Sequence, residues 1–161
     1  MAKARPLSLK ITGINETFNA LGSKVDAIKK EVDNEMAASV ELMATNAKQL
    51  FPSGRASVEG QTQMYADIRS SIKADKKMPF VYELIAGKGK DPMAAYIEFG
   101  TGRYFPQYPG KEKEWQALAK EYYVNGRGWM TPSPYFYPSV TSGIVSLVNH
   151  IKQIFKRNER L

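Results

Sequence analysis

Ile14, Phe18, Leu21, Val25, Ile28, Val32, Met36, Val40, Met43, Ala47 and Leu50 recur three or four residues apart, the spacing that lines up one face of a helix for about ten turns. A long helix over 12–51 is therefore the strongest constraint in the chain. Gly13 precedes the first apolar member and Asn15 stands where an N-cap belongs. Phe51-Pro52-Ser53-Gly54 supplies the stop, because a residue before proline is pushed out of the helical region. Gly22-Ser23 is a candidate break into a short helix and a longer one. Unbroken, such a rod reaches about 50 Å, whereas a domain of 161 residues has a radius of gyration of roughly 15 Å. Two outcomes satisfy the apolar stripe. Part of it meets another chain, with Val32 as the central interface candidate, or the helix kinks and its own domain covers it.

The remainder reads as a second region of mixed character. Met64 to Ile72 suggests a helical turn leading into a strand, and Phe80-Val81-Tyr82-Glu83-Leu84-Ile85-Ala86, closed by Gly87, is the best strand. Met93 to Phe99 is a short apolar segment ended by Gly100-Thr101-Gly102. Two strands alone are marginal, so further strands are expected from 68–75 and 121–130, and 58–102 is taken as the sheet region. Residues 103–137 hold both tryptophans, Trp115 and Trp129, many tyrosines and four of the nine prolines, which favours ordered irregular chain around a short helix at 112–121. Aromatics beside Lys and Arg can stack bases. The prolines and the Lys111-Glu112-Lys113-Glu114 alternation favour a protein contact instead, for which tyrosine and tryptophan supply stiff contact area. A last helix is expected over 138–158, with Pro138 near its first position. Gly143 in its interior costs about 1 kcal/mol relative to Ala and marks a close approach to another backbone.

Little in the sequence points to catalysis. With no cysteine, disulfides, thiolate zinc sites and thiol nucleophiles are all absent. The one histidine, His150, lies beside the apolar stripe of the last helix and is read as structural. Glu98, an acid among aromatics before a Gly-Thr-Gly turn, reads either as a general acid with a raised pKa or as the partner of Arg103 or Arg127, the second being favoured. Gly100-x-Gly102 is too short for a dinucleotide fingerprint, no Gly-Lys-Ser/Thr string exists for a P-loop, and no acid set is spaced for Mg²⁺ or Ca²⁺. No cofactor, metal or catalytic residue is expected.

The net charge of +7 admits nucleic acid, an anionic surface or an acidic protein as partner. It is graded along the chain, from +1 over 1–60 to +2 over 61–110 and +4 over 111–161. Lys152, Lys156, Arg157 and Arg160 fall in the last turns of the C-terminal helix, where the macrodipole favours cations. They are also the candidates for contact with DNA or an acidic neighbour. The basic opening, Met1 to Pro6, has no apolar h-region behind it, so a cleaved secretory signal is not expected, and no apolar run reaches the ~18 residues of a membrane span. The chain is read as soluble and made in a cytoplasm.

Several strings occur in a fixed order: Ile11-Thr12-Gly13-Ile14-Asn15-Glu16, a long helix closing at Leu50-Phe51-Pro52, Arg69-Ser70-Ser71-Ile72, then Ala95-Tyr96-Ile97-Glu98-Phe99-Gly100-Thr101-Gly102, and Pro134-Tyr135-Phe136-Tyr137-Pro138 before the terminal helix. In this order and spacing the chain resembles the tail-completion or neck proteins of long-tailed bacteriophages, the gene-ten-type tail components. It departs from them at Pro52-Ser53-Gly54-Arg55, where the family often has Pro-x-Asp-Thr-Gly, and in the length of 103–133.

The resemblance implies an α+β subunit, a small antiparallel β-sheet flanked by the long N-terminal helix and a C-terminal helix, with a Pro/aromatic-rich arm. It further implies a ring, expected to be a hexamer, at the head-proximal end of the tail. The partners would be further copies of the chain, the tail tube protein, head-side connector proteins and DNA passing through the lumen, with a virion location and assembly in the host cytoplasm. Glu98, Gly100, Thr101 and Gly102 would shape a turn supporting the ring, and Tyr96, Phe99, Trp129, Pro134, Phe136 and Pro138 would join Val32 as subunit-interface candidates. A small basic DNA-binding protein is the alternative, and a small hydrolase or nuclease the third class.

Overall fold

The computed structural model describes residues 7–11, 25–52, 61–88, 92–100 and 131–158. The apolar period of the first third becomes helix α1, Val25–Leu50, about 39 Å long at 1.5 Å per residue. Val25, Ile28, Val32, Met36, Val40, Met43 and Ala47 are all buried on one side of it. The expected first turns, 12–24, lie outside the described residues. Helix α2 (Gln61–Ser71) follows, then strands β2 (Lys73–Met78) and β3 (Val81–Ala86), helix α3 (Met93–Phe99) and the terminal helix α4 (Phe136–Asn158). The third strand is β1, Leu7–Ile11.

The three strands form an antiparallel sheet in the order β1-β3-β2, so the fold is α+β, with the long helix packed on β2 and β3 of a small sheet and the terminal helix packed along the long helix. The source of the third strand differs from expectation. Leu7-Ser8-Leu9-Lys10-Ile11 alternates apolar and polar at the period of a half-buried strand, and it pairs with β3 through Leu7 opposite Ala86 and Leu9 opposite Leu84. Residues 121–130, the expected source, lie outside the described residues. Of 68–75, only the end is strand, because 68–71 complete α2. The span 58–102 is accordingly only partly sheet. Met93–Phe99 is helical, and its buried residues Ala94, Ala95, Ile97 and Phe99 keep the three-or-four spacing of a helix face.

The Arg69-Ser70-Ser71-Ile72 string joins elements. The Arg69 Nε–H donates to the Lys48 carbonyl at 3.0 Å, satisfying one of the orphan acceptors at the end of α1. The Ser71 hydroxyl donates to the Ile68 carbonyl at 2.6 Å and accepts the Gly87 N–H at 2.8 Å, pinning the end of α2 to the end of β3.

Asp33 holds α1 to the β2-β3 hairpin. The hairpin turns through Pro79-Phe80, and Phe80 has φ of 60°, a conformation usually left to glycine. A glycine could not fill the core as the buried Phe80 ring does, and the Asp33 carboxylate stabilises the turn from outside. Its Oδ1 accepts the Phe80 N–H at 2.9 Å and lies 3.0 Å from the Tyr82 hydroxyl, and its Oδ2 lies 2.5 Å from Lys76 Nζ. Desolvation is the largest single influence on Asp33 and raises its pKa. The hydrogen bonds from Lys76, Phe80 and Tyr82 and the charge of Lys76 together outweigh it, so the carboxyl titrates below its ordinary value.

Helix α4 lies antiparallel along α1, since Met43 meets Gly143, Glu35 meets His150 and Glu31 meets Arg157. The close approach expected at Gly143 is made to a side chain of α1, where a Cβ would stand 2.3 Å from Met43 Cγ. The apolar stripe of α1 is thus covered within the chain over the described residues.

Two predictions follow from this packing. Gly143→Ala should lower stability by roughly 1–2 kcal/mol in urea denaturation, since the overlap with Met43 outweighs the gain of about 1 kcal/mol in helix propensity. Shortening Met43 to Ala in the same chain should make the glycine replacement harmless, and additive losses would contradict the contact. Asp33→Asn should cost roughly 1 kcal/mol at neutral pH, because the amide oxygen still accepts from Phe80 and Tyr82 but without the charge that strengthens those bonds, the exposed Lys76 pair adding little. Because the folded pKa is depressed, this stabilisation is full above the unfolded value near 3.9 and is lost as pH falls through the folded pKa. The difference between the two proteins in acid unfolding should therefore persist down to about pH 4 and close only as pH falls through the depressed folded pKa.

Candidate functional site

The two strings that stand out in the second half of the chain, Tyr96 to Gly100 and Pro134 to Pro138, are in direct contact. Helix α3 ends at Gly100, whose φ of 74° suits a residue without a Cβ, and whose N–H donates to the Tyr96 carbonyl at 2.9 Å. One residue before the helix ends, Glu98 turns inward and is 0% exposed. Its Oε2 accepts the N–H of Tyr135 at 2.7 Å and of Phe136 at 2.8 Å, and its Oε1 accepts the N–H of Tyr137 at 3.0 Å. These are the donors that the start of α4 leaves without an intrahelical acceptor. A carboxylate placed there also meets the positive end of the helix dipole.

Other bonds reinforce this junction. The Ser133 N–H donates to the Ile97 carbonyl at 2.8 Å, and the Tyr135 hydroxyl donates to the Ala94 carbonyl at 3.2 Å. Burial, and after it the negative charge of Glu98, pushes the Tyr135 phenol well above its ordinary pKa. The Tyr135 ring meets Phe51 edge to face at 4.9 Å between centroids, and Phe51 meets Tyr65 at 5.8 Å. The end of α1, helix α2 and the start of α4 therefore converge beside Glu98. Gly100 and residues 133–135 thus lie at one junction, although 30 positions separate Gly100 from residue 131 in the chain.

The expected site residues divide three ways. Glu98, Gly100, Pro134, Phe136 and Pro138 are brought together at the junction, with Tyr96 and Phe99 on the same short helix. Thr101, Gly102, Trp129 and Arg160 lie outside the described residues, as do Arg103 and Arg127, the partners expected for Glu98. Lys152, Lys156 and Arg157 are exposed on α4, and Arg157 pairs with Glu31. The side chains of Val32, Phe99 and Phe136 are fully buried within the subunit. Offered as interface residues, they are core residues here, because α1, α3 and α4 close on one another before any second chain is needed.

Sequence reasoning missed the surface between α1 and α4. A shallow groove there is lined by Glu35, Ala38, Ser39, Leu42, Gly143 and His150, among others. His150 Nδ1 lies 2.7 Å from Glu35 Oε1, to which the Ser39 hydroxyl also donates at 3.3 Å. Local sequence could not have found the pairing of Glu35 with His150, 115 residues apart, although both fall on helix faces that the apolar period defines. Among the described residues no group of three or more His, Cys, Asp or Glu could hold a metal ion, and no helix is long and apolar enough to cross a membrane. Comparison of the chain with protein-family models, curated proteins and solved structures finds no match in any of the three.

The junction yields a direct prediction. Glu98→Gln should destabilise the protein by roughly 2–4 kcal/mol, because the amide nitrogen faces an N–H where an acceptor is required and leaves a buried donor unsatisfied. Urea denaturation followed by circular dichroism measures it. A variant as stable as the parent would show that the charge and the second acceptor oxygen contribute nothing.

Proposed function

We propose that this protein is a structural component of a long-tailed bacteriophage, a ring-forming tail-completion or neck protein that closes the head-proximal end of the tail and joins it to the filled head. The observation that carries the reading is the Glu98 junction. Two of the strings on which the resemblance rests are held against each other by one buried carboxylate, and that carboxylate organises backbone. Such a junction suits an architectural role, because it fixes the base of a segment rich in tyrosine, tryptophan and proline, the residue types that supply protein contacts. In this reading the ring surrounds the DNA path, and the basic end of α4 faces an acidic neighbouring subunit or the passing DNA.

The test is genetic and visual. Removing the coding sequence from the phage genome that carries it should leave DNA-filled heads and unjoined tails in negative-stain images of lysates, and supplying the protein in trans should restore joined particles. Joined, infectious particles without the protein, or its absence from purified virions by mass spectrometry, would overturn the proposal.

A further inference from the structure

The two long helices differ in charge. Helix α1 interleaves Lys29, Lys30 and Lys48 with Asp26, Glu31, Asp33, Glu35 and Glu41, whereas residues 131–158, all of α4 included, contain no Asp or Glu. Arg157 and His150 turn toward α1, where they meet Glu31 and Glu35. Lys152 and Lys156 are exposed and have no ion pair among the described residues. They stand on the far side of α4, about 140° and 180° around the helix from the buried Leu147.

The same side carries apolar surface. Val145 and Val148 are 63% and 43% exposed, and with Lys152 and Lys156 they make a stripe at spacings of three and four, about 16 Å long. Single exposed apolar residues are common and mean little by themselves. Here the two apolar positions come first and the two cations last, so the stripe is segregated along its length.

That segregation selects a class of partner. The phosphate backbone of DNA would take the lysines but offers nothing apolar to cover the valines. The α4 stripe of a second copy would set lysine against lysine if parallel, and if antiparallel would place the lysines opposite 136–149, which carry no acid. A helix of another protein running antiparallel to α4 satisfies both halves. Its first turns lie beside Lys152 and Lys156, where its own dipole favours acidic residues, and its next turns cover Val145 and Val148 with apolar side chains.

We infer that the Val145, Val148, Lys152 and Lys156 stripe docks an amphipathic helix of a different protein, one that begins with Asp or Glu and continues with apolar residues at spacings of three and four. The inference rests on the ring proposed above, in which that helix belongs to a neighbouring component of the particle. Four side chains bury too little for a stable complex of isolated molecules, so the contact depends on its repetition around the ring.

The chain has no cysteine, so Asn149→Cys, exposed beside the stripe, gives a single attachment point for a benzophenone maleimide, with Ser142→Cys as the second choice if that label blocks joining. The labelled protein is supplied to the deletion lysate, and joined particles are purified and irradiated. The expected product is a cross-link to one other virion protein, at a segment where acids precede apolar residues. A cross-link to DNA or to a second copy of this chain, or none from joined particles, would overturn the inference. Lys152→Glu with Lys156→Glu should lower the yield of joined particles roughly tenfold or more, while circular dichroism and thermal unfolding of the isolated protein match the parent. Changing the acids of the cross-linked segment to Lys should restore joining to this double variant, a rescue that contact with phosphates could not give. Full joining by the double variant alone would equally overturn the contact. Joined particles that need the protein but show another cross-link leave the ring reading standing and move only the surface, whereas joining without the protein removes the ring reading itself.

Discussion

The buried carboxylate of Glu98 decides where the last helix begins. Three consecutive N–H groups converge on two oxygens, and no other geometry would bring Tyr135, Phe136 and Tyr137 to one acceptor as regularly as a helix start does. Once that start is fixed, the rest of α4 has little freedom. Gly143 falls against Met43, His150 beside Glu35 and Arg157 beside Glu31, and the apolar stripe of α1 is closed. A short helix of seven residues thereby positions one of 23.

Helix α1 serves three neighbours from three sides. Asp33 receives the hairpin turn, the Val32, Met36, Val40 and Met43 side enters the core, and the side bearing Leu42 lines the shallow groove against α4. This division resolves the problem raised by the length of the apolar period. A rod of about 39 Å is covered along its buried side without a second chain, because α4, at about 35 Å, is nearly as long. What α1 offers outward is a narrower surface than its sequence suggests, and it carries Lys30 and Lys48 as well as Glu41.

Much of the fold was legible. The period of α1, its stop at Phe51-Pro52, the strand at 81–86, the terminal helix and the close approach at Gly143 all follow from spacing and from the backbone limits of proline and glycine. The strand at 7–11 is equally legible from its apolar and polar alternation. Met93–Phe99 was harder, since a short apolar run suits strand or helix alike. The site was legible in part. Glu98 and the Pro-Tyr-Phe-Tyr-Pro string each stood out, yet an acid among aromatics does not announce that its acceptors will serve a helix start 37 to 39 residues away. Asp33 gave no signal at all, because its partners, Lys76, Phe80 and Tyr82, belong to a turn that only the folded hairpin presents.

By itself the sequence determined the elements and their apolar faces, the lack of thiol chemistry and the excess of basic charge toward the C-terminus, since these depend on residue type and on contacts a few positions apart. The tertiary structure alone decided which faces meet. It put Val32 and Phe136 in the core, left Leu42 and Val145 outside, and turned Glu98 from a candidate acid into a helix cap. Burial and hydrogen-bond partnership depend on distances between residues far apart in the chain, and no local pattern encodes those.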